Sequence, residues 1–167
     1  RLMGEYWGAG YKWLSIADLK SKVVSESKEE ITQLAASDMK IVPKGTLLMS
    51  FKLSIGRLCF AGCDLYTNEA ICSFNKLNAS SEYLYYILGR IDFSLYGKQA
   101  VKGYTLNKES LKSVEVPLPS LEEQTAIAAT LSDMDAEIAA LHEKLAKARQ
   151  LKQGMMQELL TGRVRLV

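Results

Sequence analysis

Between Leu121 and Leu160 the sequence contains no proline and a single glycine, Gly154. Its apolar or small residues return in alternating steps of four and three: Ile127, Leu131, Met134, Ile138, Leu141, Leu145, Ala148, Met155 and Leu159, interrupted at Lys152. That alternation is the a/d seam of a coiled coil. The spacing predicts one helix over 120–161, about 60 Å long at 1.5 Å per residue. Gly162 supplies the stop, which leaves 162–167 as a short tail. Helices of ordinary globular domains seldom exceed about 20 residues. A rod of this length reaches beyond its own domain, so the sequence predicts a spacer whose seam is buried against another helix.

The residues before the rod are of a different kind. Tyr11–Leu19 reads as a short strand running into a turn or helical cap, and Lys22–Ser37 as a polar helical or loop segment. Pro43–Gly45 marks a turn before two strands, Thr46–Phe51 and Gly56–Phe60, which are joined near Leu53–Ile55. Glu69–Phe74 is a further apolar strand. Glu82–Ile91 reads as a helix capped by Ser80 or Ser81, and Asn107–Lys112 as a second, short one. Val114–Val116 reads as a strand ended by Pro117 and Pro119. The fold class expected is α+β: a globular α/β domain over 1–119 with a small mixed β-sheet, followed by the long C-terminal coiled-coil helix.

The chain contains no GxGxxG, no Walker loop and no HExxH. Its one histidine, His142, lies in the coiled-coil segment, far from any serine or cysteine nucleophile in a globular domain. Glu122 and Glu123 open the long helix, where acids suit the helix dipole. The expectation is therefore a non-catalytic protein with no cofactor and no metal. Cys59, Cys63 and Cys72 are an odd set without an N-terminal apolar leader. They read as reduced thiols of a cytoplasmic protein. No apolar run approaches the roughly 18 residues of a membrane span, so no membrane partner is expected.

The net charge of +2 decides little, but its distribution is uneven. From Met39 to Cys63 the charges are Lys40, Lys44, Lys52 and Arg57, with no acid. From Glu115 to Glu137 there are six acids and no base. Lysine and arginine supply phosphate contacts, while serine, glutamine and tyrosine can reach base edges. On that chemistry the candidate DNA-binding residues are Lys52, Ser54 and Arg57, a second basic loop of Lys98, Gln99, Lys102 and Tyr104, and Lys12 in the Tyr11–Trp13 cluster. Lys52, Arg57, Lys98 and Lys102 are expected on one basic face.

The segments EYWGAGYKWLSIADL, VPKGTLLMSFKLSIGRLCFAG, TNEAI, YLYYIL, LKSVEVPLPSLEEQTAIAATLSDMDAEI and LKQGMMQELLTGRVRL follow one another along nearly the whole chain. In that order they resemble the specificity subunits of type I restriction-modification systems. The most specific part is the Pro-Leu-Pro and Glu-Glu-Gln stretch running into the helix, together with the Leu-Leu-Thr-Gly-Arg ending. The resemblance implies a target recognition domain that reads one half-site of double-stranded DNA, and a helix that sets the distance to a second such domain. It also implies docking of methyltransferase subunits and ATP-driven restriction subunits. Standard specificity subunits hold two domain-plus-helix units with antiparallel helices. This sequence holds one, and the first strand of its recognition domain is expected upstream of Arg1. It is similar to a half-size subunit or to a C-terminal fragment of a full one. Two other classes stay open on the residues alone: a coiled-coil adaptor without direct DNA binding, and an accessory domain for a small ligand.

One unit of this kind implies an antiparallel homodimer reading an interrupted palindrome. Its interface is expected along Ile127, Leu131, Met134, Ile138, Leu141, Leu145, Met155 and Leu159. Antiparallel pairing centred near Leu141 sets Asp135 towards Arg149 of the partner subunit, and Glu137 towards Lys144 of the partner subunit. Parallel pairing would stack acidic halves together. Such exposed ion pairs contribute only about 0.2–1 kcal/mol each; they choose orientation, and the apolar seam supplies affinity.

Overall fold

The computed structural model describes residues 4–96, 98–100 and 103–167, with 98–100, 103–105 and 108 described through their backbone alone. The strands and helices run β1 (Trp7–Leu14), β2 (Val23–Val24), β3 (Glu29–Ile31), α1 (Gln33–Ser37), β4 (Leu47–Ser50), β5 (Lys52–Leu53), β6 (Leu58–Ala61), β7 (Tyr66–Thr67), β8 (Ile71–Phe74), α2 (Ser81–Gly89), β9 (Lys98–Ala100), β10 (Gly103–Thr105), α3 (Lys108–Lys112) and α4 (Leu121–Leu160). The chain divides into two compact units, Arg1–Thr125 and Ala126–Val167. The fold class is α+β with small mixed sheets and one long helix.

Within the globular unit the described strands form sheets ordered β2-β6-β4-β8, β3-β1-β7 and β5-β10-β9. The first is built around β4, whose four residues are all buried. Side chains alternate across a strand, and β4 uses both faces. Leu48 joins Leu14, Cys59, Ala61 and Leu65 in one core. Leu47 and Met49 join Phe60, Leu84, Leu88, Phe93 and Leu106 in the other. A strand buried on both sides reads as a continuous apolar run, and Leu47, Leu48 and Met49 are one, followed by the buried but polar Ser50. A third cluster of Ile31, Ala35, Ala36 and Tyr66 lies under the β1 sheet.

Helix α2 starts where Ser80 turns its hydroxyl to accept from the Tyr83 N–H at 3.3 Å. Glu82 occupies its first turn, and Tyr83, Leu84 and Leu88 are buried. Asn107 caps α3 in the same way, accepting from the Ser110 N–H at 2.7 Å. Helix α4 is continuous for 40 residues. It ends in a left-handed Gly162 with φ of 74°, where the Gly162 N–H returns to the Leu159 carbonyl at 3.2 Å.

Three sequence expectations are corrected. Val114–Val116 is not a strand. Burial still alternates, with Val114 and Val116 half-buried about an exposed Glu115, but among the described residues no strand pairs with it, and Pro117 and Pro119 offer no N–H to one. Lys22–Ser37 contains β2 and β3, with helix only over Gln33–Ser37. Pairing with β1 and β6 overrides the weak strand propensity of its charged residues. The segment carrying Lys98, Gln99 and Tyr104 is not a loop but the strand pair β9 and β10.

Candidate nucleic-acid interface

The β5-β10-β9 sheet assembles residues that are far apart in sequence. Its register sets Lys52 opposite Thr105, and Thr105 opposite Lys98. The next row is Leu53, Tyr104 and Gln99. Four of the sequence-derived candidates, Lys52, Lys98, Gln99 and Tyr104, thus occupy two adjacent rows of one small sheet. Lys102 lies outside the described residues.

Ser54 and Arg57 sit in the turn that leaves β5, and both are exposed. This turn is anchored by the last residue of β4. Ser50, 0% exposed, accepts from the Arg57 N–H at 3.0 Å and donates its hydroxyl to the Ser54 carbonyl. Its own backbone closes the turn: Ser50 N–H to Arg57 carbonyl and Gly56 N–H to Ser50 carbonyl, each 2.9 Å. Leu106 N–H bonds the Phe51 carbonyl at 2.9 Å, tying the turn to the end of β10. Leu53 and Gly56 both have positive φ, 62° and 82°. Leu53 remains 58% exposed at the tip. The Lys52 ammonium lies 5.7 Å from the centroid of the Phe51 ring, within the range of a cation–π contact.

Lys12 is placed elsewhere, on β1. Its ammonium is bound by Glu26 at 2.7 Å and Glu30 at 2.8 Å. Hydrogen bonds to these two carboxylates hold it protonated far above the ordinary lysine range. The Lys12 hydrogen bond and the Gly10 N–H hold Glu30 below the ordinary carboxylate range. The positive charge of Lys12 is thus met locally by two acids.

The three thiols are free. Burial pushes Cys59 and Cys72 up to about 11, so they remain protonated and unreactive at neutral pH. Among the described residues no group of His, Cys, Asp or Glu is placed to hold a metal ion, and no helix is long and apolar enough to cross a membrane.

On α4, Met134, Ile138, Leu141, Leu145 and Met155 are each about half exposed, while Ile127, Leu131 and Leu159 are less so. The seam read from the sequence is a stripe on a real helix, and burying it would remove apolar surface from water at about 25 cal/mol per Å².

A family model described as the type I restriction modification DNA specificity domain matches residues 5–150. The specificity subunit of type I restriction enzyme MjaIX from Methanocaldococcus jannaschii is 36% identical over 140 residues, which cover 78% of this chain and 32% of that subunit. The putative MjaX specificity subunit of the same organism is 36% identical over 91 residues, 52% of this chain and 21% of that protein. The chain therefore spans a third or less of the length of these relatives. A solved chain from work on complex assembly and conformational transition of the type I R-M system shares the fold with a TM-score of 0.68 at 22% identity, over 93% of this chain and 40% of that one. The HsdS subunit from Thermoanaerobacter tengcongensis shares it with a TM-score of 0.64 at 22% identity, over 92% of this chain and 38% of that subunit.

Proposed function

Because the chain belongs to the type I restriction-modification DNA specificity domain family, we propose that it is a non-catalytic, sequence-specific DNA recognition module that directs methyltransferase and restriction subunits to a bipartite target. The observation that carries the reading is the cross-strand row Lys52, Thr105, Lys98 beside the anchored Ser54–Arg57 turn. Two cations that are distant in sequence share a row, and a third lies on a turn held from below by a buried hydroxyl. Lys52, Arg57, Lys98 and Lys102 supply phosphate contacts, which fix register and carry the salt-dependent part of affinity. Ser54 contributes a base-edge contact; Gln99 and Tyr104 are secondary candidates for one, because their register row alternates across the pleat with the lysine row. Lys12 joins them only by giving up its two glutamates, so it is the weakest member of the set.

In this reading 1–119 is the recognition domain, 120–161 the pairing and spacer helix, and 162–167 a tail. Two copies pair antiparallel along Ile127, Leu131, Met134, Ile138, Leu141, Leu145, Met155 and Leu159, and the pair reads an interrupted palindrome. The site of action is the cytoplasm, where the DNA and the partner subunits are. The test is to assemble the full chain with its methyltransferase subunits and select bound duplexes from a random pool. One bipartite sequence should emerge. Recovery of unselected DNA at low salt would contradict the proposal.

A further inference from the structure

Leu53 ends β5 at the tip of the turn described above, yet it has no part in the contacts assigned so far. Its backbone has φ of 62°, a left-handed conformation that bulky side chains rarely adopt and that glycine takes freely. Gly56, three residues on, meets the same demand with a glycine. The leucine is held in place from two sides. Ser50 grips the turn through Arg57 and Ser54, and Tyr104 of β10 pairs with Leu53 itself. The side chain gains little burial in return, being 58% exposed. A bulky residue in a strained conformation, standing mostly in solvent, gives the fold little that glycine would not. Residues of that kind gather at binding sites.

The surroundings of Leu53 identify the group it meets. It lines a cleft with Ile55, Ile91, Asp92, Phe93 and Ser94, all within the globular unit. Asp92 is exposed. The Ser94 hydroxyl at 2.6 Å and the Ser94 N–H at 3.0 Å both donate to it, and these hydrogen bonds hold its carboxyl below the ordinary aspartate range. A charged carboxylate repels phosphates, so it turns this cleft towards base edges and away from the DNA backbone. It also only accepts hydrogen bonds, and the amino donors of adenine N6 and cytosine N4 lie in the major groove. The C5-methyl of thymine lies in the same groove. The minor groove offers no methyl, and only the guanine N2 donor. An apolar tip beside a carboxylate acceptor therefore matches the major groove.

We infer that Leu53 is a specificity-determining residue that packs on the C5-methyl of a thymine in the major groove of the half-site. The inference rests on the proposed reading of sequence-specific DNA recognition. Its test uses the full chain assembled with methyltransferase subunits and the duplex that this complex selects. Each thymine of the duplex is replaced in turn by uracil, which lacks only the methyl. The parent should lose about fourfold in affinity at one thymine, the worth of one buried methyl group. Leu53→Gly suits the left-handed backbone and removes the apolar tip. Leu53→Asn also tolerates that backbone and presents no apolar tip. In both variants the uracil penalty at that thymine should vanish, while the dependence of affinity on salt stays as in the parent, since leucine contacts no phosphate. A selected half-site without thymine, or a parent indifferent to every uracil, overturns the inference. So does a uracil penalty that persists in either variant. A uniform loss of affinity with the penalty intact, as insertion between base steps in the minor groove would give, overturns it too. Loss of assembly in both variants does the same, because it shows that Leu53 holds the turn and not a base. A parent that selects no DNA sequence overturns the DNA reading itself, and is recognised before any variant is made.

Discussion

Glycines show most directly how one residue's surroundings decide its worth. Gly56 has φ of 82°, and a Cβ there would come within 2.8 Å of Phe93 Cδ2. Gly56→Ala should therefore cost at least about 1–2 kcal/mol in backbone strain alone, and the core around Phe93 must shift as well. Gly154 has the opposite sign. It lies mid-helix on α4 with open space where a Cβ would go, off the a/d seam. Gly154→Ala should stabilise the chain by up to about 1 kcal/mol, because alanine loses less backbone freedom in a helix. Urea unfolding of both variants checks the pair: a lowered midpoint for Gly56→Ala, a raised one for Gly154→Ala. Equal midpoints would mean that the turn beside Arg57 is not held in the left-handed conformation. Ser50 belongs to the same scale. Serine is common in strands and turns, and nothing in its sequence context marks it as the buried anchor of that turn.

At the scale of elements, what the sequence revealed depended on distance along the chain. The strands β4, β6 and β8 and the helix α2 were legible because each carries its own apolar pattern and caps. The shorter strands were not. β3 holds Glu29 and Glu30, and β9 begins with Lys98; they are strands because of what pairs with them. The row of Lys52, Thr105 and Lys98 is visible only once β10 lies between β5 and β9. The Glu-Glu-Gln motif stood out in the sequence, but the Ser80 N–H that donates to the buried Gln124 amide oxygen is 44 residues away. The turn after β1 makes a testable case of element joining. Asp18 accepts from the Ser15 N–H at 2.8 Å, the Ser15 hydroxyl at 2.7 Å and the Lys28 N–H at 3.1 Å, joining the end of β1 to the residues before β3. Burial works to raise its pKa, but these hydrogen bonds prevail and hold it below the ordinary aspartate value. A depressed carboxylate stabilises the fold above its unfolded pKa of about 3.9, and that contribution is lost as pH falls through the folded value. Asp18→Ala should cost about 1 kcal/mol at pH 7. The gap to the parent in urea midpoint should narrow on acidification below about pH 4. A gap that stays constant would show that the ionised carboxylate is not what joins the two elements.

For the whole molecule, the proposal joins a recognition domain to a pairing rod. The rod is tested by cysteines placed singly at Leu141 and Ile127 in a background without the native thiols. Antiparallel packing predicts ready disulfide crosslinking through position 141 and little through 127. Equal crosslinking at both positions, or a monomer in sedimentation at micromolar concentration, would contradict the pairing. The domain is tested through salt. Each phosphate contact to duplex DNA contributes about −0.9 to the slope of log K against log salt. The most direct measurement of the central claim is that slope for the chain assembled with methyltransferase subunits, compared with the same complex carrying alanine at Lys52, Arg57, Lys98 and Lys102. If these four are the phosphate contacts of the recognition face, affinity falls for every sequence and the slope flattens by about 3 to 4 units. An unchanged affinity and an unchanged slope would contradict the assignment of this sheet and turn as the DNA-binding face.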